Sequence, residues 1–405
     1  MHVLQLNNYH FIKGGAERYY FEISKVLEDH GHKVLHFSVD DQDNIPSPYS
    51  AYFGRAMSFD TGQGVFKKIE TAFRMLYSFE NKNKMRSFLA EYDIDIAHAH
   101  NIYHRVCPSV FDVQREKNIP IVMTLHDYKL GCSIYTFYRD GRICTECLSA
   151  GKSRIIKNRC TKGQLTLSLF HWLESKLHGL LNIYSKNVSF FICPSLFSLK
   201  KHAEIGIAEN KLVHIANFIN VVDYEPGYEN KDYILFAGRL SQEKGILTLL
   251  KAIKDIDITL KVVGDGPMRD KYEAYATEHK VSNVVFEGYK SDEDLRSLFR
   301  NAAFLVIPSE WYENAPMTIL EAFAYGKPVI GADIGGIPEM VLEGRTGFLF
   351  KPGDYQELRE KIKYLLVNPS MITQMGKKAR KRAEEEYNSE THYRKLLHVY
   401  ESASA

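Results

Sequence analysis

The sequence predicts an α/β protein built from two doubly wound parallel sheets that face each other across a cleft, and three observations carry that expectation. Apolar runs of strand length alternate with amphipathic helical patterns through both halves of the chain. At 405 residues, 45% hydrophobic and 25% charged, the chain is too long for one ordinary core and suits two domains. Between the halves, Asn217 to Lys231 loses periodicity and gains Pro226, Gly227 and several acids, as an interdomain connection does.

The first half gives a strand from His2 to Leu6, a helix from Ala16 to Asp29 and a strand from Lys33 to Val39. Later strands are expected near 94–97, 120–125 and 190–193. The second half repeats the rhythm, with strands from Tyr233 to Ala237, Ile258 to Val263, Val284 to Phe286, Ala303 to Ile307 and Pro328 to Ile330, each followed by a helical pattern. A boundary near 216 gives domains of 1–215 and 216–388. An amphipathic segment, 389–405, is expected to pack back on the first domain, and 130–163 reads as an insertion that interrupts its rhythm.

Composition narrows the classes of function. The opening Met1 to Leu6 is too short an apolar run for a signal peptide, and no stretch approaches the length of a membrane span, so a cytoplasmic protein is expected. A formal net charge of +2 excludes a strongly basic nucleic-acid binder by bulk charge.

The densest chemistry lies between Glu313 and Glu321, two carboxylates eight positions apart between an apolar strand and a Gly-Lys-Pro helix stop. At the carboxyl end of a parallel sheet, a loop acid and a helix acid can face one crevice, which is where open sheets bind ligands. Gly238-Arg239-Leu240 to Glu243-Lys244-Gly245 follows another strand and puts two cations five residues apart at a helix start. Arg supplies a fork and Lys a point charge for phosphate oxygens; a solvated surface loop is the alternative. Gly14 and Gly15 either cradle a diphosphate or serve an ordinary strand-to-helix turn. Gly264-Asp265-Gly266-Pro267 reads mainly as a turn, backbone near Tyr289 is placed to read a base, and Gly335-Gly336 turns into a short helix that shapes the crevice. His98, His100 and His126-Asp127 lie at strand ends facing the cleft, and only His126 is assigned a function, as a sugar hydrogen-bonder or as an acid or base near neutral pH.

These motifs, in this order and over nearly the whole chain, resemble the retaining, nucleotide-sugar-dependent glycosyltransferases of family 4, which have the GT-B fold of two facing Rossmann-like domains. The resemblance implies a hexosyltransferase-type, metal-independent enzyme in which Arg239 and Lys244 bind the donor diphosphate, Glu321 the ribose and Glu313 the donor sugar. It implies that Gly15 meets phosphate from the opposite domain and that His126 touches the sugar, with Asn314, Ala315 and Pro316 lining its other side. Gly14, Gly238, Gly264, Tyr289 and Met317 complete the expected donor site, and Glu313, His126, Arg239 and Lys244 the catalytic group. The expected partners are a nucleoside-diphosphate sugar and a glycan or lipid-linked glycan acceptor of cell-surface glycan synthesis, and no nucleic acid. A noncatalytic nucleotide-sugar-binding protein, or an epimerase or phosphorylase of the same fold, stands as the alternative.

The insertion has chemistry of its own. Cys132, Cys144, Cys147 and Cys160 either form one structural zinc site, as the Cys144-x-x-Cys147 spacing allows, or remain four free thiols. Lys152, Arg154, Lys157, Arg159 and Lys162 precede the apolar run from Leu165 to Leu173. That pairing suits docking on anionic lipid at the inner face of the plasma membrane, or else a solvated loop before a core helix.

Overall fold

The computed structural model describes residues 1–55, 65–229 and 232–405. The last two positions of the expected interdomain connection, 230–231, lie outside the described residues.

The first sheet holds six parallel strands: β1 (His2–Leu6), β2 (Lys33–Phe37), β3 (Ile96–Ala99), β4 (Ile121–Thr124), and, after a two-stranded hairpin of β5 (Tyr138–Arg139) and β6 (Arg142–Ile143), β7 (Phe190–Cys193) and β8 (Leu212–His214). Their spatial order is β2-β1-β3-β4-β7-β8. The second sheet comprises β9 (Tyr233–Ala237), β10 (Thr259–Val263), β11 (Val284–Gly288), β12 (Leu305–Ile307), β13 (Val329–Ala332) and β14 (Gly347–Phe350), ordered β11-β10-β9-β12-β13-β14. Two doubly wound α/β sheets of this kind are the expected fold. In both, strand order reverses beside the first strand, and a crevice opens at such a switch point.

Helices cover both faces of each sheet, which is why the central strands β1, β4, β9, β12 and β13 are buried almost throughout, while the edge strand β11 is only half-buried. Behind the second sheet, Leu249, Leu250 and Ile253 of helix Ile246–Ile253 pack with Ile234, Phe236 and Val262, while Ile319, Leu320 and Phe323 of helix Met317–Ala324 fill the other face with Leu235 and Leu305. In the first half, helix Gly15–Asp29 buries Tyr19, Tyr20, Ile23, Val26 and Leu27, at the three- and four-residue spacing of one helical face.

The last helix, Ser389–Ser404, starts where the Asn388 side chain accepts from the Thr391 amide at 2.7 Å. Its buried Tyr393, Leu396, Val399 and Tyr400 pack with Val3, Ile23, Leu27 and Ile96, so the end of the chain completes the core beside its beginning. Tyr19 Oη lies 2.9 Å from His392 Nε2, and His98 Nδ1 lies 2.7 Å from Tyr400 Oη. His98 is thus a core residue with both ring nitrogens engaged, the second by Thr124 Oγ1 at 2.7 Å, and does not face the cleft.

Leu396→Ala, at a fully buried position, is expected to cost about 2–4 kcal/mol. The check is the thermal midpoint, which should fall by roughly 5–10 °C.

Candidate active site

Backbone hydrogen bonds knit the loops at the carboxyl ends of the second sheet into one rim. The Leu240 amide donates to Asp265 O at 2.9 Å, the Gly264 amide to Gly288 O at 2.8 Å, and the Glu310 amide to Glu243 O at 2.9 Å. The segments carrying Gly238, Arg239 and Lys244, Gly264, Tyr289 and Glu313 are therefore neighbours. Two glycines make this fit possible. Gly245 has φ +69°, and a Cβ there would lie 1.8 Å from Pro308 O. Gly335 has φ +63°, and its Cβ would lie 2.3 Å from Glu313 O. The sequence marked Gly335-Gly336 as a shaping turn; the structure shows that turn to be the floor under the Glu313 backbone, with the Gly336 amide donating to Glu313 O at 2.8 Å.

Glu313 is 5% exposed and is held by two donors, Lys244 Nζ at 2.7 Å and Ser309 Oγ at 2.6 Å, both on Oε1. Lys244 also stands over the Trp311 ring, 5.1 Å from its centroid. Arg239 is exposed, with no ion-pair partner among the described residues, and Tyr289 is 74% exposed.

Asn314 joins the two halves. Its Nδ2 donates to Leu125 O at 2.6 Å, its Oδ1 accepts from Ser195 Oγ at 3.3 Å, and Asn217 Nδ2 donates to Ala315 O at 3.0 Å. Leu125 immediately precedes His126, so the acidic loop is pinned against the strand end that bears that histidine. Nearby, the Leu196 and Phe197 amides at a helix start donate to the two Glu339 oxygens at 2.7 and 2.6 Å.

His126 Nε2 lies 3.1 Å from His100 Nδ1, and burial lowers the His126 pKa to about 3. The imidazole is neutral across the physiological range. Of the two expected uses, an acid or base titrating near neutral pH disagrees with this buried ring, and hydrogen bonding does not. His100 is fully buried, with its other nitrogen 2.7 Å from Gln5 Oε1, so it too lies behind the cleft. Asp127 Oδ1 accepts from the Lys129 amide at 2.8 Å, and burial raises this carboxyl to about 7.

Gly14 and Gly15 lie where helix Gly15–Asp29 begins, and neither has positive φ. A turn conformation is therefore not what calls for glycine there. A Cβ on Gly15 would stand 3.5 Å from Met317 Cγ, an ordinary contact, so the helix start faces the second half at close range.

One turn on from Gly15, Arg18 reaches across and pairs with Glu321 Oε1, while its Nη2 donates to Tyr224 Oη at 3.2 Å and its Nε to Glu22 Oε1 at 3.0 Å. The sequence motifs assign no role to Arg18. Its position three residues after Gly15 on the same helix was the available signal. Glu321 is 6% exposed, and burial holds its pKa above the ordinary carboxyl value despite the guanidinium. A separate cavity of about 650 Å³, lined by Lys129, His171, Glu174, Tyr184 and Lys211 among others, lies under helix Leu165–Leu180, away from these motifs.

Residues 13–222 match Glycosyltransferase Family 4, and residues 224–382 match Glycosyl transferases group 1. An uncharacterized glycosyltransferase of Methanocaldococcus jannaschii is 28% identical over 285 residues, 70% of this chain and 68% of its own. The N-acetyl-alpha-D-glucosaminyl L-malate synthase of Bacillus anthracis is 26% identical over 336 residues, covering 80% and 78%. Among solved structures, sucrose-phosphate synthase from Thermosynechococcus elongatus superposes with a TM-score of 0.71 at 20% identity, over 99% of this chain and 98% of that one. Anabaena HepE in complex with UDP-glucose gives 0.71 at 19%, over 99% and 100%. These structures establish the fold as GT-B. The chain belongs to Glycosyltransferase Family 4 and is a glycosyltransferase.

Removing Arg18 leaves a buried carboxylate without its cation. Because Arg18 is 30% exposed, the full buried-pair cost is discounted, and Arg18→Ala is expected to lose about 2–3 kcal/mol at neutral pH. Glu321 is already raised by burial, so without Arg18 it rises further. Such a group favours the folded state least when ionised, so the deficit should be small near pH 4 and grow as pH rises through roughly 4–7. Thermal midpoints of wild type and variant across that range check the sign.

Proposed function

We propose that this member of Glycosyltransferase Family 4 moves a sugar, with retention of anomeric configuration, from a nucleoside-diphosphate sugar to a hydroxyl of a glycan or lipid-linked glycan. The observation that carries the reading is Glu313, a buried carboxylate anchored by Lys244 and Ser309 at the sheet's switch point and pinned through Asn314 against the strand end that bears His126. The first domain, 1–215 with 389–405 packed back on it, takes the acceptor, and 216–388 takes the donor.

In this mechanism the bond between the anomeric carbon and the diphosphate oxygen breaks, its electron pair leaving with the nucleoside diphosphate. The acceptor oxygen bonds to the same face, and its proton passes to an oxygen of the departing phosphate. Negative charge builds on the diphosphate and positive charge on the sugar ring. Lys244 has three donors, so its bond to Glu313 leaves two for phosphate, and Arg239 adds a planar fork. These two charges stabilise the leaving group without calling on a metal ion. Glu313 stabilises the cationic ring by its charge, neutral His126 bonds a sugar hydroxyl, the backbone amides around Asn314 and Ala315 line the sugar's other side, and Gly15 meets the phosphate from the first domain. Glu321 takes the ribose hydroxyls and Gly14, Gly238, Gly264 and Tyr289 the rest of the nucleotide. Approach of the two domains excludes water from the reacting carbon.

The acceptor side supports a membrane-linked substrate. Helix Leu165–Leu180 buries Ser168, Glu174 and His178 while Leu165, Leu169, Leu173 and Leu180 stand 51%, 42%, 45% and 80% exposed. This is the reverse of a core helix, and it adjoins the basic stretch from Lys152 to Lys162. Among the described residues no helix is long and apolar enough to cross a membrane, so contact is peripheral, by leucines in the interface and cations on anionic headgroups.

Donor use is checked by a panel of nucleotide sugars scored by thermal shift and released nucleoside diphosphate. Lys244→Ala should lower kcat about 100-fold or more, and Glu321→Ala should weaken donor binding about 10-fold or more. Binding without nucleotide release in the presence of any acceptor would favour a binding protein, and an inverted product by NMR would overturn retention. For the membrane, neutralising Arg154, Lys157, Arg159 and Lys162 together should abolish cosedimentation with anionic vesicles, whereas Lys152, bonded inward to Leu130 O and Gly131 O, is left in place; a wild-type chain that never cosediments refutes docking.

A further inference from the structure

Cys132, Cys144, Cys147 and Cys160 come from separate turns of the insertion, yet all four line one small cavity together with Phe137, Arg139 and Asn158. Its volume of about 10 Å³ holds one water-sized particle and no organic ligand. Cys144 and Cys147 bracket the start of the short helix Glu146–Ser149, and Cys132 and Cys160 close the cavity from either side in sequence. The two remaining cysteines, Cys107 and Cys193, lie in the apolar cores of the first domain, outside this group.

The segment around that cavity is poorly supported by anything else. Its apolar cluster is three buried residues, Tyr128, Cys132 and Phe137, with a few half-buried neighbours. Tyr135, Phe137, Asp140, Arg159 and Lys162 all have positive φ, half of the ten non-glycine residues with that conformation among those described. Such backbone persists only where its surroundings over-determine it, and a core of this size does not. Its secondary structure is a two-residue hairpin and two four-residue helices.

We propose that Cys132, Cys144, Cys147 and Cys160 bind a single zinc ion as a structural tetrathiolate. On binding, the four thiols release their protons to solvent and four sulfur-to-zinc bonds form, with no change of oxidation state. The product carries net negative charge, and the insertion supplies cations against it: Arg139 lines the cavity, and Lys152 is fixed nearby by bonds to Leu130 O at 2.8 Å and Gly131 O at 2.9 Å. Among the described residues no three cysteine sulfurs lie within 4.8 Å of one another, so coordination draws the cavity walls inward. The other cluster of ligand-type side chains, His104, His171 and Glu174, already holds a cation of its own, since Lys129 Nζ is 2.9 Å from Glu174 Oε2 and 3.5 Å from His171 Nδ1.

The zinc acts at a distance on the acidic loop. Tyr138 Oη of the hairpin donates to Glu310 Oε2 at 3.4 Å, the Phe137 and Tyr312 rings are 6.4 Å apart, and a Cβ on Gly141 would meet Gln242 Nε2 at 3.5 Å. The stapled hairpin is a positioning element for the loops that carry Lys244 and Glu313.

The test uses the full chain. Elemental analysis should find about one zinc per chain, and exchange with Co²⁺ should give a sulfur-to-metal charge-transfer band and tetrahedral d–d bands. Cys144→Ser with Cys147→Ser should lose the metal and lower Tm by roughly 5 °C, while Cys107→Ser with Cys193→Ser keeps it. If the first pair fails to fold, the cobalt spectrum of the wild type decides alone. The proposal is overturned if the chain refolded with excess zinc retains none and all its thiols react with Ellman's reagent. Zinc retained by the Cys144/Cys147 variant, or disulfides among these cysteines, overturns it equally.

Discussion

Everything about the cleft depends on one side chain amide satisfied from the opposite domain. Asn314 is buried at the seam, and its Nδ2 and Oδ1 find partners at the ends of β4 and β7, in Leu125 O and Ser195 Oγ. A buried amide without partners is costly, so this bond sets the distance at which the halves meet. Gly335 and Gly336 then let the Glu313–Asn314 backbone lie flat on the next turn, which no side chain permits. With that backbone fixed, Glu313 has little choice but to meet Lys244 and Ser309.

Two ion pairs of different character flank this seam. Lys244–Glu313 lies within the second half, where it fixes a cation beside the rim against a buried acidic side chain. Arg18–Glu321 crosses between the two halves and ties the start of the first domain's helix to the second sheet's buried acid.

The sheets were legible because both faces are covered, so nearly every strand announces itself as an apolar run. β8 and β14 escaped notice, being edge strands of three and four residues, as did the two-residue strands of the hairpin. That Lys244 and Glu313 gather at one rim was legible from charge at fixed positions after strands. Arg18, Ser309 and Asn314's bridging bonds were not, because their partners stand far off in sequence and only folding makes them neighbours. His98 misled for the same reason: its partner Tyr400 belongs to the final helix, about three hundred positions on. The leucines of helix Leu165–Leu180 allowed two readings from sequence, a lipid-docking face or a core helix, and burial shows that its polar Ser168, Glu174 and His178 face inward.

That final helix has a consequence for how the protein is made. Tyr393, Leu396 and Tyr400 finish the core begun by Val3 and Ile23, so the core of the first sheet stays open until helix Ser389–Ser404, made after the whole second sheet, is available. The second sheet, contained between these segments, is free to form first. Nascent chains therefore expose the apolar surface awaiting this helix throughout elongation, and the slowest contacts to form are also the longest in sequence. Removing helix Ser389–Ser404 would thus uncover the apolar face formed by Val3, Ile23, Leu27 and Ile96.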